Sequence, residues 1–118
     1  MSPKTDLRKS QRRLVAVVVT YNRLDKLKDT IFRLLESSED ELSALVVVDN
    51  ASTDGTADWL TRQTEPRLDV LLSEINRGGP GGFASGMRRA MEKHAPAWLV
   101  VMDDDGRPPP GGRAAFHA

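Results

Sequence analysis

Four short apolar runs, each ending in small polar or acidic residues and separated by segments of a different period, constrain this chain more than any other feature. They are "LVAVVV" (14–19), "ALVVVD" (44–49), "LDVLL" (68–72) and "WLVVM" (98–102). The first two are apolar on both alternating faces, as expected of strands covered by a layer on each side. Between them, Leu24, Leu27, Ile31, Leu34 and Leu35 form a helical stripe with Asp25, Lys26, Lys28 and Asp29 off it, and Asn22 is placed to cap that helix. Ala57, Trp59 and Leu60 begin a short second helix that should end before Pro66. A third stripe comprises Phe83, Met87, Ala90, Met91 and His94, whose Met and His side chains are expected to pack rather than ligate. Strands alternating with helices predict an α/β domain with a mainly parallel sheet. The expected core is Val15, Val17, Val19, Leu27, Ile31, Leu34, Val46, Val48, Leu71, Met87, Leu99 and Val101.

At 118 residues the chain has room for one core. Lys plus Arg equals Asp plus Glu at 17 each, which gives no reason to expect nucleic acid as a partner. Residues 1–13 hold five basic residues against Asp6 and read as a solvated tail. Residues 14–106 form the domain, and the Pro/Gly-rich stretch 107–118 shows no clear element. Without cysteine there are no disulfides or thiolate metal sites. No run is long enough to span a membrane and no secretory cleavage pattern is present, so the expected location is cytoplasmic, including the inner face of the membrane.

In open parallel sheets, ligands bind beyond the carboxyl ends of the strands, where strand order reverses. Polar clusters follow all four runs: "TYNR", "DNASTDGT", "NRGGPGG" and "DDDG". Asp49 at a strand end suits hydrogen bonding to a base or ribose, or alternatively a turn. Gly78, Gly79, Gly81 and Gly82 allow close backbone approach to a phosphate at the start of the third helix, although glycines also make ordinary turns. "GPGGFA" satisfies a dinucleotide pattern formally, but it follows the third strand rather than the first. Asp103, Asp104 and Asp105 are the sharpest feature. Two carboxylates roughly 5 Å apart at an effective dielectric near 20 repel by about 3 kcal/mol, so three in a row need either solvent or a cation. Hard oxygen donors suit Mg2+ or Mn2+, and Mg2+ binds through one or two carboxylates together with substrate phosphates.

With these four segments in this order over residues 15–106, the sequence resembles the family 2 glycosyltransferases, most closely their rhamnosyl and galactofuranosyl branch. The resemblance implies a Rossmann-like GT-A nucleotide-sugar-binding domain. The donor would be a nucleoside-diphosphate sugar, UDP- or dTDP-linked. Thr20, Tyr21 and Asn22 would line the base pocket, Asp49 would contact the nucleoside, and Asn76 with Gly78 would border the donor. Asp103 and Asp105 match the outer residues of the D-x-D motif, with Asp105 the preferred ligand of the divalent metal and Asp104 beside the nucleotide. Transfer would invert the anomeric centre, toward a glycan or lipid-linked acceptor. "GFASG" departs from the family's polar residues after the glycines, and Arg88 and Arg89 are the nearest cations on that helix. The family's general base lies well after D-x-D, and no acidic residue follows position 105. The expectation is therefore a C-terminally incomplete donor domain without a catalytic residue of its own, completed by a missing domain or a partner. An incomplete sheet could also pair edge to edge with a second copy. Against this stands a non-catalytic nucleotide-binding or interaction module of the same fold. A nucleotidyltransferase is disfavoured, because "TYNRLDK" lacks a glycine-rich basic loop.

Overall fold

The computed structural model describes residues 13–107 and the backbone of 115–117. Residues 1–12 and 108–114, which make up most of the two expected tails, lie outside that description. The four expected strands are β1 (Leu14–Thr20), β2 (Ala44–Asp49), β3 (Leu68–Leu72) and β4 (Trp98–Asp103). They alternate with α1 (Leu24–Leu35), α2 (Thr56–Thr61) and α3 (Gly78–His94). A further strand, β5 (Ala115–His117), pairs antiparallel with β4 in the stretch where no element is expected. Three residues are too few to show a period of two. Among the described residues, no helix is long and apolar enough to cross a membrane.

The sheet order is β3-β2-β1-β4-β5, with β1 to β4 mutually parallel. The chain steps outward from β1 to β3 and then returns to the far side of β1 for β4. That reversal puts the switch point between β1 and β4, and a crevice is expected where these two strands end. Parallel register there sets Thr20 opposite Asp49 and Val19 opposite Asp103.

Both faces of the sheet are covered. Val15, Val17, Val19, Val46, Val48, Leu99 and Val101 are buried on the face that carries α3, with Phe83 and Met87 packed against them. On the other face Ala16, Val18, Leu45 and Val47 are buried with Leu27 and Ile31 of α1, Leu60 of α2, and Leu42 from the loop before β2. The expected core names the strand residues of the first face alone, although continuous apolar runs already require the second. Leu34, Leu71 and Met87 are half-buried at the margins. Met91, expected on the buried stripe of α3, is 48% exposed. The reason is that α3 meets the sheet along the narrow line Gly82, Gly86 and Ala90, one residue every four, and Met91 falls off that line.

Two boundaries also differ from expectation. The segment "GGPGG" is the first turn of α3 rather than a loop before it, with Pro80 where the backbone N–H has no helical partner to lose. Asn22 does not cap α1. Arg23 occupies that position without a side-chain bond, and the Leu24 amide donates instead to Asp54 Oδ2 at 3.2 Å.

The C-terminal half of α3 is fixed electrostatically. Asp69 on β3 accepts from Arg89 Nε (2.9 Å) and Nη2 (3.0 Å), with His94 Nε2 at 2.8 Å and Lys93 Nζ at 3.7 Å. Arg89 is therefore engaged on the sheet face and is not a free phosphate contact, while Arg88 is exposed. Burial raises the Asp69 pKa, but the bonds from Arg89 and His94 and the charges of Arg89 and Lys93 more than offset it, leaving the carboxyl below its ordinary value. A carboxylate depressed in the fold contributes stability above its unfolded pKa of about 4 and loses it as pH falls through the folded value. Asp69→Asn is expected to cost about 2 kcal/mol at pH 7. In urea unfolding the gap between variant and wild type should shrink below about pH 4, and a gap that stays constant down to pH 2 contradicts the assignment.

Candidate functional site

The loops after β1 and β2 are bound to one another before any ligand is considered. Asn22 takes φ 51°, a conformation a short side-chain amide tolerates. Its amide donates to Ser52 Oγ at 2.8 Å, and its Oδ1 accepts from the Thr53 amide at 2.6 Å. Asp54 accepts from the Leu24 amide at Oδ2 and from the Thr56 amide and hydroxyl at Oδ1, so one carboxylate opens both α1 and α2. Burial raises the Asp54 pKa, and these bonds outweigh it and hold the group low. Asp49, 2% exposed, accepts from the Ser52 amide at 3.1 Å. "TYNR" and "DNASTDGT" thus form one latch.

A groove of about 340 Å³ opens beside that latch, at the switch point. The end of β1 contributes Thr20, Tyr21 and Arg23, and the end of β2 contributes Asn50. The start of α3 contributes Asn76, Gly78 and Gly79, with Phe83 a turn later, and β4 contributes Asp103 and Asp104. Asn50 holds the helix start in place: Nδ2 donates to the Gly78 carbonyl at 2.9 Å, and Oδ1 accepts from the Arg77 amide at 3.4 Å. Asn76 Oδ1 closes the turn by accepting from the Gly78 amide at 2.7 Å, and Gly78 itself takes φ +75°, which favours glycine. The positive end of a 17-residue helix therefore borders the groove, where an anion is favoured. A second hollow of about 450 Å³ flanks the latch, lined by residues 22–26, Arg23 among them, and by Asp54, with Asn22 and Asp54 already bonded within the latch.

The three aspartates sit in a turn closed by bonds from the Asp103 amide to the Arg107 carbonyl (2.9 Å) and from the Gly106 amide to the Asp103 carbonyl (3.0 Å). Asp104 turns inward. Its Oδ2 accepts from the Thr20 hydroxyl at 3.1 Å, and its backbone carbonyl accepts from the Thr30 hydroxyl at 2.7 Å. Its Oδ1, in a side chain only 5% exposed, accepts no hydrogen bond, although Arg23 Nη1 stands 3.2 Å away without hydrogen-bond geometry. Burial raises the Asp104 pKa, against the opposing Thr20 bond and Arg23 charge. Asp103 and Asp105 face each other, and both accept from the Arg107 amide, at 3.1 and 3.2 Å. Burial and the bond to Asp105 raise the Asp103 pKa, whereas the bond to Asp103, the Arg107 amide and the Arg107 and Arg23 charges hold Asp105 low. The crowding is met by turning one carboxylate inward, linking the other two, and placing guanidinium groups beside them.

Among the described residues, no group of three or more His, Cys, Asp or Glu side chains is gathered as a ready metal site. Asp103 and Asp105 nevertheless converge on one amide, and two carboxylates suffice for a hard cation whose remaining ligands are water and substrate phosphate. The donor set fits a metal that arrives with a diphosphate.

Of the residues expected at the donor, the groove gathers Thr20, Tyr21, Asn76, Gly78, Asp103 and Asp104. Asn22 and Asp49 belong to the latch, and Asp105 stands just outside, beside Arg23. Sequence reasoning missed Arg23 and Asn50. The signal for Arg23 was charge balance against the aspartates; for Asn50 it was position, since the residue just past a strand reaches the rim. The family model "Glycosyl transferase family 2" matches residues 15–113, from β1 to beyond these aspartates.

The chain belongs to glycosyl transferase family 2.

This family 2 domain is 38% identical over 96 residues to the undecaprenyl-phosphate mannosyltransferase of Micrococcus luteus, a match covering 80% of the chain and 38% of that relative. It is 39% identical over 93 residues to the galactofuranosyltransferase GlfT1 of Mycolicibacterium smegmatis, covering 79% of the chain and 30% of the relative. The chain thus spans about a third of the length of these curated relatives. Among solved structures it is similar to mannosyltransferase PcManGT from Pyrobaculum calidifontis in complex with GDP-Man and Mn2+, at TM-score 0.63 and 29% identity, over 79% of this chain and 27% of that one. It is also similar to S. aureus TarS 1–349 in complex with UDP, at TM-score 0.62 and 26% identity, with the same coverage of 79% and 27%.

Proposed function

We propose that this chain is the donor-binding part of an inverting glycosyltransferase, holding a nucleoside-diphosphate sugar in the groove between β1 and β4. The observation that carries this reading is Asp104 Oδ1, a buried carboxylate oxygen at the wall of a polar groove that accepts no hydrogen bond and has the Arg23 guanidinium, 3.2 Å away, as a charge partner alone. Such an atom costs free energy unless a ligand fills it, and a ribose or sugar hydroxyl is a suitable donor. Thr20 and Thr30 hold Asp104 rigid, so the acceptor is in place before the ligand arrives. Tyr21, 46% exposed at the rim, offers a ring face to a base. The start of α3 receives the diphosphate, with Asn50 and Asn76 fixing its position.

Asp103 and Asp105 would hold Mg2+ or Mn2+, which supplies stabilisation of negative charge on the departing diphosphate. The preferred donors are UDP- or dTDP-linked, and a relative's structure with UDP and another's with GDP-Man and Mn2+ support a nucleotide site of this kind. The acceptor, a glycan or a lipid-linked hydroxyl, and the base that takes its proton are assigned to parts of the enzyme beyond this donor half. The reaction is assigned to the cytoplasm, at the inner face of the membrane when the acceptor is lipid-linked.

Titration calorimetry with UDP, dTDP and GDP, each with and without Mn2+, tests the reading. The expected result is saturable binding of at least one diphosphate with Kd below about 1 mM, tightened about tenfold by Mn2+. Absence of saturable heat with all three, in both conditions, overturns it.

A further inference from the structure

Among the described residues Arg23 is the one cation in the groove wall, and nothing in the proposed donor contacts uses it. Its guanidinium lies 3.2 Å from Asp104 Oδ1 and 3.8 Å from Asp105 Oδ2, neither approach being a hydrogen bond. The side chain is 47% exposed, while the backbone at Arg23 is fixed, its carbonyl accepting from the Leu27 amide at 3.0 Å. A rigidly anchored, half-solvated guanidinium held by charge alone can exchange partners without disturbing the fold. Guanidinium groups match phosphate oxygens bidentately, a better pairing than the geometry seen with the carboxylates.

Resting on the donor-site reading above, we propose that Arg23 is a resident counter-cation of the aspartate turn, which a nucleotide's diphosphate draws away as it binds, so that nucleotide and divalent metal load the site cooperatively. Before the donor arrives, Arg23 neutralises Asp104 and Asp105 and competes with a metal ion for Asp105. A diphosphate offers Arg23 a better partner, and its transfer releases the carboxylates while the same phosphates supply ligands to the incoming ion. The coupling is reciprocal by thermodynamic necessity: whatever factor the nucleotide gives the metal, the metal gives the nucleotide. Arg107 provides the comparison. Its Nε lies 3.6 Å from Asp105 Oδ2, but its side chain is 81% exposed and does not line the groove.

The test is Mn2+ titration, by calorimetry and by the spin-resonance signal of free Mn2+, of wild type, Arg23→Gln, Arg23→Lys and Arg107→Gln, with UDP absent and present, after circular dichroism has established that each is folded. Arg23→Gln is expected to bind Mn2+ about tenfold more tightly than wild type without UDP, to bind UDP several-fold more weakly without Mn2+, and to show a smaller mutual enhancement. Arg23→Lys should stay within about threefold of wild type, and Arg107→Gln, which removes a largely exposed charge beside Asp105 and retains the backbone amide, should gain less Mn2+ affinity than Arg23→Gln. Unchanged or weakened Mn2+ binding by Arg23→Gln, or an equal gain in Arg107→Gln, overturns the inference while leaving the donor site standing. Failure of wild type to bind UDP, dTDP or GDP, with or without Mn2+, overturns both.

Discussion

Replacing Gly86 with alanine is expected to destabilise the domain by about 2 kcal/mol, against the helix propensity gained, which is worth up to about 1 kcal/mol. A Cβ built at Gly86 would stand 2.4 Å from Val17 Cγ1 and 2.9 Å from Val48 Cγ2, well inside the normal separation of about 3.5–4 Å. Both neighbours are fully buried in central strands, so neither can swing aside. The helix would have to lift, opening contacts along Gly82 and Ala90 as well. Gly79 is the matched control in the same helix, since nothing lies within 4 Å of its added Cβ. Gly79→Ala should be neutral or stabilising by as much as about 1 kcal/mol. Urea unfolding of both variants checks the contrast, because the midpoint should fall for Gly86→Ala alone, with the denaturant slope unchanged. Midpoints that coincide would place α3 farther from the sheet than described.

The same glycines show where sequence reasoning stops. Strand and helix order followed from period alone, because runs such as Val15 to Val19 leave few alternatives to a doubly covered strand. The glycine cluster was legible as close approach, but not as approach to what: Gly78 and Gly79 face the groove, while Gly82 and Gly86 press on Val19 and Val17. Local sequence does not distinguish a phosphate from a valine as the close neighbour. Asn22 and Asp49 have chemistry suited to a nucleotide, and sequence did not show that Asn22 Oδ1 also accepts from the Thr53 amide and Asp49 Oδ1 from the Ser52 amide. Loop-to-loop bonds of that kind carry no periodic signal. The aspartate turn was legible as a feature needing an explanation because like charges in sequence repel wherever they fold. Its division into an inward Asp104 and a linked pair depended on Thr20 and Thr30, which lie 84 and 74 positions earlier.

That division sets the second large effect, a split between adjacent substitutions. Asp105→Asn is expected to remove most of the Mn2+-dependent gain in nucleotide affinity, which is about tenfold in wild type, whereas Asp104→Asn should leave that gain within about threefold of wild type. Asp105 shares the Arg107 amide with Asp103 and is held ionised by that neighbour and by Arg107 and Arg23, so it presents charge to a cation. Asparagine there keeps the shape and loses the charge a hard ion needs. Asp104 is buried, its charge opposed by its surroundings, and bound through Oδ2 to a hydroxyl that can either donate or accept. Asparagine can therefore keep the Thr20 bond and still offer an oxygen to the groove, and any loss should appear in nucleotide binding without metal. Titrating UDP into each variant with and without Mn2+ separates the two contributions. Equal loss of the Mn2+-dependent gain in both variants would mean that the inward carboxylate, and not the outer pair, meets the ion, and the turn would then have to open for a donor to bind.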